Sequence, residues 1–462
     1  MVSSFFPESA AAPAFAARRA AEARPGAHPE TDAFAAPTVG AHARSGARPL
    51  PPDEALAQWQ ALREQPGPEG PRAVYVHLPF CVHRCVFCPF YRYASTPDAI
   101  AAYLRHLQRE IAQAAATPLY TARPIDAVYL GGGTPSDLTG EQLAALLRAL
   151  RTRLPLAPDC EITVEGRAAS FTHEKLQAVA AEGANRISLG VQTFDGAARR
   201  RLGRILDRDA LLARLRELSG DPRVTLCVDL IYGLPGQGLE AWRKELATLL
   251  DESTAHAWDA YRLKTFPQSP LVRLVEAGKL QSLPARSEIL PYVSILHETM
   301  RTTASRRLSI YHWSRDDRER SRYNFLAKTA PVLLPLGAGA GGHVGAWQIM
   351  QHGAIEAYAA AIDRGEPPLG GIAAGSDRWL AGRAVAAGAE HCGWSLPTLE
   401  HAAGRVGLAE FLEPLLVQWE QSGLVTHTGR GHYALTPAGE FWNVEMQQRL
   451  ISVIEASNPH SA

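Results

Sequence analysis

Cys81, Cys85 and Cys88 stand in the run Tyr75-Val-His-Leu-Pro-Phe-Cys-Val-His-Arg-Cys-Val-Phe-Cys88, a spacing that crowds three thiols into one short loop. Thiolates so placed bind soft or borderline metals. An iron–sulfur cube takes four thiolates, so three would leave one iron open, and an open coordination position is where a substrate or cofactor binds. A structural zinc ion with His83 as a fourth ligand, or simple burial of the thiols, would use the same residues. Structural zinc sites usually pair two such knuckles, and the chain has no second Cys-x-x-Cys. Cys160, Cys227 and Cys392 are solitary within apolar runs and read as ordinary buried side chains.

Other residues could serve a ligand near that loop. Gly131-Gly-Gly-Thr-Pro135 follows an apolar run, and its missing Cβ atoms would let backbone amides approach a cofactor. Glu165, Gln192, Arg204 and Asp229 stand at or just beyond strand-like runs, where carboxylate, amide and guanidinium groups suit a zwitterionic cofactor bearing a ribose. Asp229 lies within Leu226-Cys-Val-Asp-Leu-Ile231, and a carboxylate buried there is costly unless paired. His312-Trp-Ser-Arg315-Asp-Asp-Arg318-Glu-Arg320-Ser-Arg322-Tyr323 combines an imidazole, aromatic faces and four arginines. It reads either as a solvated charged helix or as a site for a planar molecule with carboxylates, gripped by arginine forks with His312 near a metal. Gly337-Ala-Gly339-Ala-Gly341-Gly342 matches a dinucleotide fingerprint only formally, because no βαβ unit surrounds it. It reads instead as a loop that admits a large flat ligand. His343 beside it is a second candidate ligand, although a lone histidine beside glycines is more often structural.

Parallel strands with helical crossovers must position these groups. Strand-like runs at 73–78, 125–130, 161–165, 186–191, 224–231 and 258–264 alternate with amphipathic helices. The stretch 98–116 places Ile100, Tyr103, Leu104, Leu107 and Ile111 on one face, and 140–154 does the same with Leu143, Leu146, Leu147 and Leu150. Six βα repeats with right-handed crossovers close, or nearly close, into a barrel, whose chemistry sits at the carboxyl ends of the strands. Every one of the cysteine loop, the Gly131–Pro135 loop, Glu165, Gln192 and Asp229 falls at that end. The expected architecture is α/β: a partial (β/α)6 barrel over 51–285, a substrate-site extension over 286–372, and a helical, winged-helix-like module over 373–462.

Composition narrows the class. The chain has 462 residues with 47 basic and 47 acidic side chains, which leaves no overall footprint for nucleic acid. No apolar run is long enough to span a bilayer. Six cysteines, three of them crowded, fit a reducing cytoplasm better than a disulfide framework. Residues 1–50, rich in Ala, Pro, Arg and Gly, show no periodicity that could bury a face and read as a disordered tail.

Tyr75-x-His77-x-Pro79-Phe80-Cys81-x3-Cys85-x-Phe87-Cys88, the Gly131–Pro135 loop, Ile187-Ser-Leu-Gly-Val-Gln192-Thr-Phe194 and Asp229-Leu-Ile-Tyr-Gly-Leu-Pro235 together resemble the radical SAM enzymes of the oxygen-independent coproporphyrinogen III oxidase branch. The resemblance implies that Cys81, Cys85 and Cys88 bind a [4Fe–4S] cluster whose open iron is chelated by S-adenosylmethionine. It further implies that Tyr75 and Phe87 flank that cofactor, that Gly132, Gly133 and Thr134 meet its amino-acid end, and that Glu165, Gln192, Arg204 and Asp229 hold its charged and ribose groups. The segment from His312 to Asn324, with the glycine loop after it, is similar to the anaerobic haem-degrading methyltransferases of the anaerobilin synthase type. That likeness implies haem as substrate, placed by His312, Arg315, Arg318, Gly339 and Gly341, and a low-potential electron donor such as flavodoxin or a reductase. It assigns no catalytic residue. A coproporphyrinogen dehydrogenase and a haem chaperone that keeps the cluster are the alternative functions. Pro89 stands where the family usually has glycine, and Phe90 where the coproporphyrinogen oxidases have a further cysteine.

Overall fold

The computed structural model describes residues 33–34, 47–88, 93–266, 269–375 and 377–456. Pro89 and Phe90, and most of the predicted 1–50 tail, lie outside them. The chain forms two compact units, one of Leu50–Leu283 with His312–Ala373, the other of Pro284–Tyr311 with Ala374–Ala462 and the described residues before Leu50.

The first unit is a wound α/β sheet. Its strands are β1 (Arg72–Leu78), β2 (Ile125–Gly132), β3 (Leu156–Gly166), β4 (Arg186–Gln192), β5 (Thr225–Tyr232), β6 (Ala257–Arg262), β7 (His312–Ser314), β8 (Val332–Leu336), β9 (Gly341–Val344), β10 (Trp347–Gln351) and β11 (Leu369–Gly375). They pair in the order β11-β10-β9-β8-β1-β2-β3-β4-β5-β6-β7. Strands β1 to β6 run parallel in chain order, as six βα repeats require. Among the described residues their pairing order is open, so the barrel is partial. β8 adds a further parallel strand beside β1, and β7 runs antiparallel against β6. Those two additions come from 312–373, so the stretch expected to form one extension is divided. Its helix Arg286–Thr302 belongs to the second unit, where His297 Nε2 lies 2.8 Å from Glu440.

Local signals start the helices. Thr96 caps α1 (Pro97–Ala114) by accepting from the Ala99 N–H, with Pro97 opening the helix. Thr139 and Gln142 exchange both bonds of a capping box at α2 (Gly140–Arg153). Burying Leu104, Leu107 and Ile111 on α1 and Leu143, Leu146, Leu147 and Leu150 on α2 holds these helices on the sheet. Each such side chain contributes roughly 1.5–3 kcal/mol.

In the second unit the helix Asp377–Glu390, the strand Gly393–Ser395, the helices Leu396–Ala403 and Leu408–Gln421, and the hairpin Val425–Gly429 with His432–Leu435 make a winged-helix arrangement. Its core gathers Trp394, Trp419, Trp442, Met446 and Leu450. Part of the predicted tail belongs to this core. Phe34 is 4% exposed, lies edge-on to Trp442 at 5.3 Å, and carries the Arg449 guanidinium over its ring at 4.1 Å.

Candidate active site

The cysteine loop is tied to the glycine loop by backbone. After β1 the chain makes the short strand Phe80–Cys81, paired with Tyr93–Ala94, and Ser95 N–H donates to Cys81 O at 3.1 Å. Gly133 N–H donates to Leu78 O at 2.8 Å and Thr134 N–H to Phe80 O at 2.7 Å. A Cβ on Gly133 would stand 2.3 Å from Phe80 O, so only glycine allows this approach. Glycine at 133 therefore serves the neighbouring loop. Gly132, at φ +114°, would drive a Cβ into the His77 ring at 2.6 Å. Thr134 is buried with Oγ1 3.2 Å from Cys81 Sγ. Burial pushes the Cys81 thiol up, and the Thr134 hydroxyl offsets part of that rise.

Asp137, which sequence reasoning missed, fastens the loop from below. Its carboxylate accepts from Val82 N–H at 2.7 Å and from both contacts of Arg167 Nη2 at 2.7 and 2.8 Å. Lys175 Nζ binds the Ser136 and Ser170 carbonyls beside it. The weak signal in the sequence is a carboxylate two residues past Thr-Pro, where a turn would ordinarily expose it.

The inward positions at the carboxyl ends of the strands form a polar mouth. Tyr75 on β1 donates toward or accepts from His77 Nδ1 at 2.9 Å. Tyr129 on β2 stacks on Tyr323 with ring centroids 4.5 Å apart, and Tyr75 stacks on the same Tyr323 at 6.3 Å. Glu165 on β3 accepts from Gly132 N–H and from the Tyr129 hydroxyl, while its burial raises its pKa to about 7. Asp229 on β5 is in register with Asp259 on β6; burial pushes its carboxyl well up, and the Asp259 and Glu165 carboxylates add to the rise. At the end of β4 a register shift falls between Gly190 and Gln192, and Gln192 takes φ +72°, a strained value for a residue with a Cβ. Arg204 lies over this bulge, bonded to Gly190 O, and its Nη1 stands 3.4 Å from Cys85 Sγ. Phe87 packs on the apolar cluster of Leu202, Ile231 and Leu234. The structure thus gathers Arg204, Gln192 and Cys85 at one edge, and Glu165 with Tyr75 and Tyr129 at another, while Tyr323 reaches the two tyrosine rings from the amino-terminal side.

The predicted substrate segment separates into two parts. Its glycine loop, after β8, lies on the same rim as the cysteine loop. A Cβ on Gly337 would stand 2.5 Å from His77 O, one on Gly339 would meet the His77 ring at 3.8 Å, and one on Gly341 would meet Met350 at 3.3 Å. Glu110, buried on α1, anchors the loop by accepting from Gly337 N–H and the Tyr358 hydroxyl, both at 2.7 Å, and from Gln351 Nε2 at 2.9 Å. The arginines lie elsewhere. Because β7 runs antiparallel to β6, the residues after Ser314 return to the amino-terminal end of the barrel strands, away from the cysteine loop. Arg315 donates there to the Ala255, Leu249 and Ser253 carbonyls at 2.7–3.0 Å. Arg318 is exposed and pairs with Asp316. His312 is 1% exposed, with Nδ1 3.0 Å from Asp259 and Nε2 3.5 Å from Glu319. His343 binds Ala330 O at 2.9 Å, a structural role.

A prediction separates the two arginines from ligand binding. Arg315→Ala should cost about 1–3 kcal/mol in chemical denaturation by orphaning three carbonyls, while Arg318→Ala should change stability by less than about 0.5 kcal/mol. Neither should alter pigment affinity in an absorbance titration, and a tenfold loss with Arg318→Ala would return that residue to a binding site.

The thiols suit a polynuclear cluster. Among the described residues, the trio of possible ligands gathered within 4.8 Å of one another is Cys227, Asp259 and His312. Cys81, Cys85 and Cys88 lie on one short loop, where three thiolates can serve separate irons of one cluster. His83, the alternative zinc ligand, is exposed. The Arg204 guanidinium beside Cys85 would stabilise a thiolate there. Arg204→Ala should therefore shift the cluster's reduction potential negatively, because charge-assisted contacts to sulfur raise it. A potentiometric titration followed by electron paramagnetic resonance reads this, and an unchanged potential would show that Arg204 does not touch the bound sulfur.

Comparison with known proteins agrees with this geometry. Residues 75–249 match the model of the Radical SAM superfamily. The chain is 35% identical over 414 residues to the anaerobilin synthase of Escherichia coli O157:H7, covering 89% of this chain and 91% of that one. It is 29% identical over 292 residues to the heme chaperone HemW of Bacillus subtilis, covering 62% and 75%. To the oxygen-independent coproporphyrinogen III oxidase of Bradyrhizobium diazoefficiens it is 30% identical, covering 66% and 69%. The solved structure of coproporphyrinogen III oxidase (HemN) from Escherichia coli superposes with a TM-score of 0.71 over 89% of this chain and 96% of that one at 23% identity, which shows the shared fold. With the three thiols, the glycine loop and the partial barrel in their places, the chain belongs to the radical SAM superfamily, in the family that includes anaerobilin synthase.

Proposed function

We propose that the protein opens the porphyrin ring of haem without oxygen, releasing iron and a methylated linear tetrapyrrole. The observation that carries this reading is the 35% identity to anaerobilin synthase over 89% of this chain, a span that runs well beyond the barrel, where the HemW likeness covers 62%. The cofactors of the family are a [4Fe–4S] cluster and S-adenosylmethionine. When bound, they supply a reductively generated carbon radical, with the electron from a low-potential donor such as flavodoxin. Cys81, Cys85 and Cys88 would hold the cluster. Arg204 would neutralise charge at Cys85, and Glu165, Gln192 and Asp229 would meet the polar groups of S-adenosylmethionine, with Tyr75 and Phe87 beside it.

Other side chains act on the substrate's surroundings. The Gly337–Gly342 loop, on the rim beside His77, would admit close approach of a planar macrocycle. Glu165, raised by burial to about 7 while the Tyr129 hydroxyl and the Gly132 amide donate to it, can carry a proton on its carboxyl near neutral pH. Among the described residues no helix is long and apolar enough to cross a membrane.

The test is anaerobic incubation of the reconstituted protein with haem, S-adenosylmethionine and a low-potential reductant, followed by mass spectrometry of pigment and nucleosides. A methylated linear tetrapyrrole with free iron supports the reading. Bound but unchanged haem would overturn it in favour of a chaperone, and conversion of coproporphyrinogen III with haem untouched would overturn it in favour of the oxidase.

A further inference from the structure

Below the mouth, the inward faces of β5, β6 and β7 bring Cys227, Asp259 and His312 together. They are 0%, 4% and 1% exposed. Their thiol, carboxylate and imidazole ligand atoms all lie within 4.8 Å of one another. Cys227 Sγ is 3.6 Å from Asp259 Oδ2, and His312 Nδ1 is 3.0 Å from Asp259 Oδ1. The strand register makes this convergence firm: His312 is directly opposite Asp259, and Cys227 is opposite Ala257, two residues before it.

An ion pair between His312 and Asp259 gives no part to the Cys227 thiol beside them. Neither ring nitrogen of His312 makes a hydrogen bond of acceptable geometry among the described residues, although the side chain is almost wholly enclosed. The groups behind the ring are those that orient a ligating imidazole. Glu319 Oε1 faces Nε2 at 3.5 Å, and Glu319 is itself held by Arg186 Nε at 3.0 and 3.1 Å and by Ser321 N–H at 2.5 Å. A carboxylate behind the second nitrogen of a histidine is the common outer partner of a metal-bound imidazole, because it fixes the ring and raises its basicity.

We propose that Cys227, Asp259 and His312 form a second metal site for one divalent transition ion of intermediate softness, zinc(II) or iron(II). One sulfur, one oxygen and one nitrogen donor suit such ions, and the thiol and imidazole disfavour magnesium and calcium. Asp229, in register with Asp259 and partly open to the barrel interior, is the nearest further carboxylate on the mouth side. The proposal stands on the barrel floor alone and does not depend on haem being the substrate.

Cobalt(II) titration of the full chain carrying Cys81→Ala, Cys85→Ala and Cys88→Ala tests it free of cluster thiols. The expected result is one equivalent retained through gel filtration, with a thiolate-to-cobalt charge-transfer band. Adding Cys227→Ala should abolish the band, and Glu319→Gln should weaken binding about tenfold through loss of the outer partner. Cys227→Ser, which keeps volume and polarity, gives the same reading if the alanine variant folds poorly. Failure to retain cobalt, or a charge-transfer band that survives both Cys227 variants, would overturn the site and leave a buried ionic network in its place.

Discussion

Replacing Asp137 by alanine is expected to release the cysteine loop and abolish stable cluster loading. The carboxylate is 1% exposed and Arg167, its partner, is 14% exposed, so the pair is nearly dry. Removing one partner of such a pair costs roughly 3–5 kcal/mol, because the other charge stays buried alone. Here the loss falls on the start of the loop: Val82 N–H loses its acceptor at 2.7 Å, and Ser95 loses a longer contact at 3.4 Å. Iron and sulfide should fall well below the wild-type ratio after anaerobic reconstitution, with the barrel still folded by circular dichroism. Asp137→Asn should recover part of the loading, since a carboxamide oxygen can still accept from Val82 N–H but cannot neutralise Arg167. Full iron content in Asp137→Ala would mean that the three thiols alone organise the loop.

The motif cysteines were legible because ligands close in sequence advertise their spacing, and the parallel strands because β-branched runs alternate with amphipathic helices. Groups whose partners lie far away were not. Asp137 and Glu110 look like surface carboxylates until Arg167 and the Gly337 amide come to them across the fold. The segment after His312 shows the limit most plainly. Its residues promised an arginine-lined ligand site, but charge has no direction in a sequence. A three-residue antiparallel strand turned Arg315 and Arg318 toward the amino-terminal end of the barrel and drew His312 inside. Phe34 was equally unreadable, since one aromatic residue in an alanine-rich stretch has no periodicity to reveal the tryptophan core it enters.

The pH dependence of stability should report Glu110. Burial raises its pKa from 4.5 to about 7, with the Tyr358 hydroxyl and the Gly337 amide restraining the rise. The native state therefore holds a proton that the unfolded chain releases near 4.5, and between those values the native state binds more protons. Stability from this group is complete below about pH 4.5 and is lost as pH rises through 7. The change corresponds to about 3 kcal/mol. Glu165 shifts in the same sense to about 7, so the wild-type protein should weaken across this window from both groups. Glu110→Gln should remove one share of the slope. Its carboxamide can take the glutamate's place because Gln351 Oε1 has no hydrogen-bond partner and a flip of that amide would turn it toward the new donor. Urea denaturation of both proteins at pH 5 and pH 8 measures the effect. The difference in stability between the two pH values should be smaller in Glu110→Gln by about 3 kcal/mol, and equal slopes would show that Glu110 does not hold the proton its burial demands.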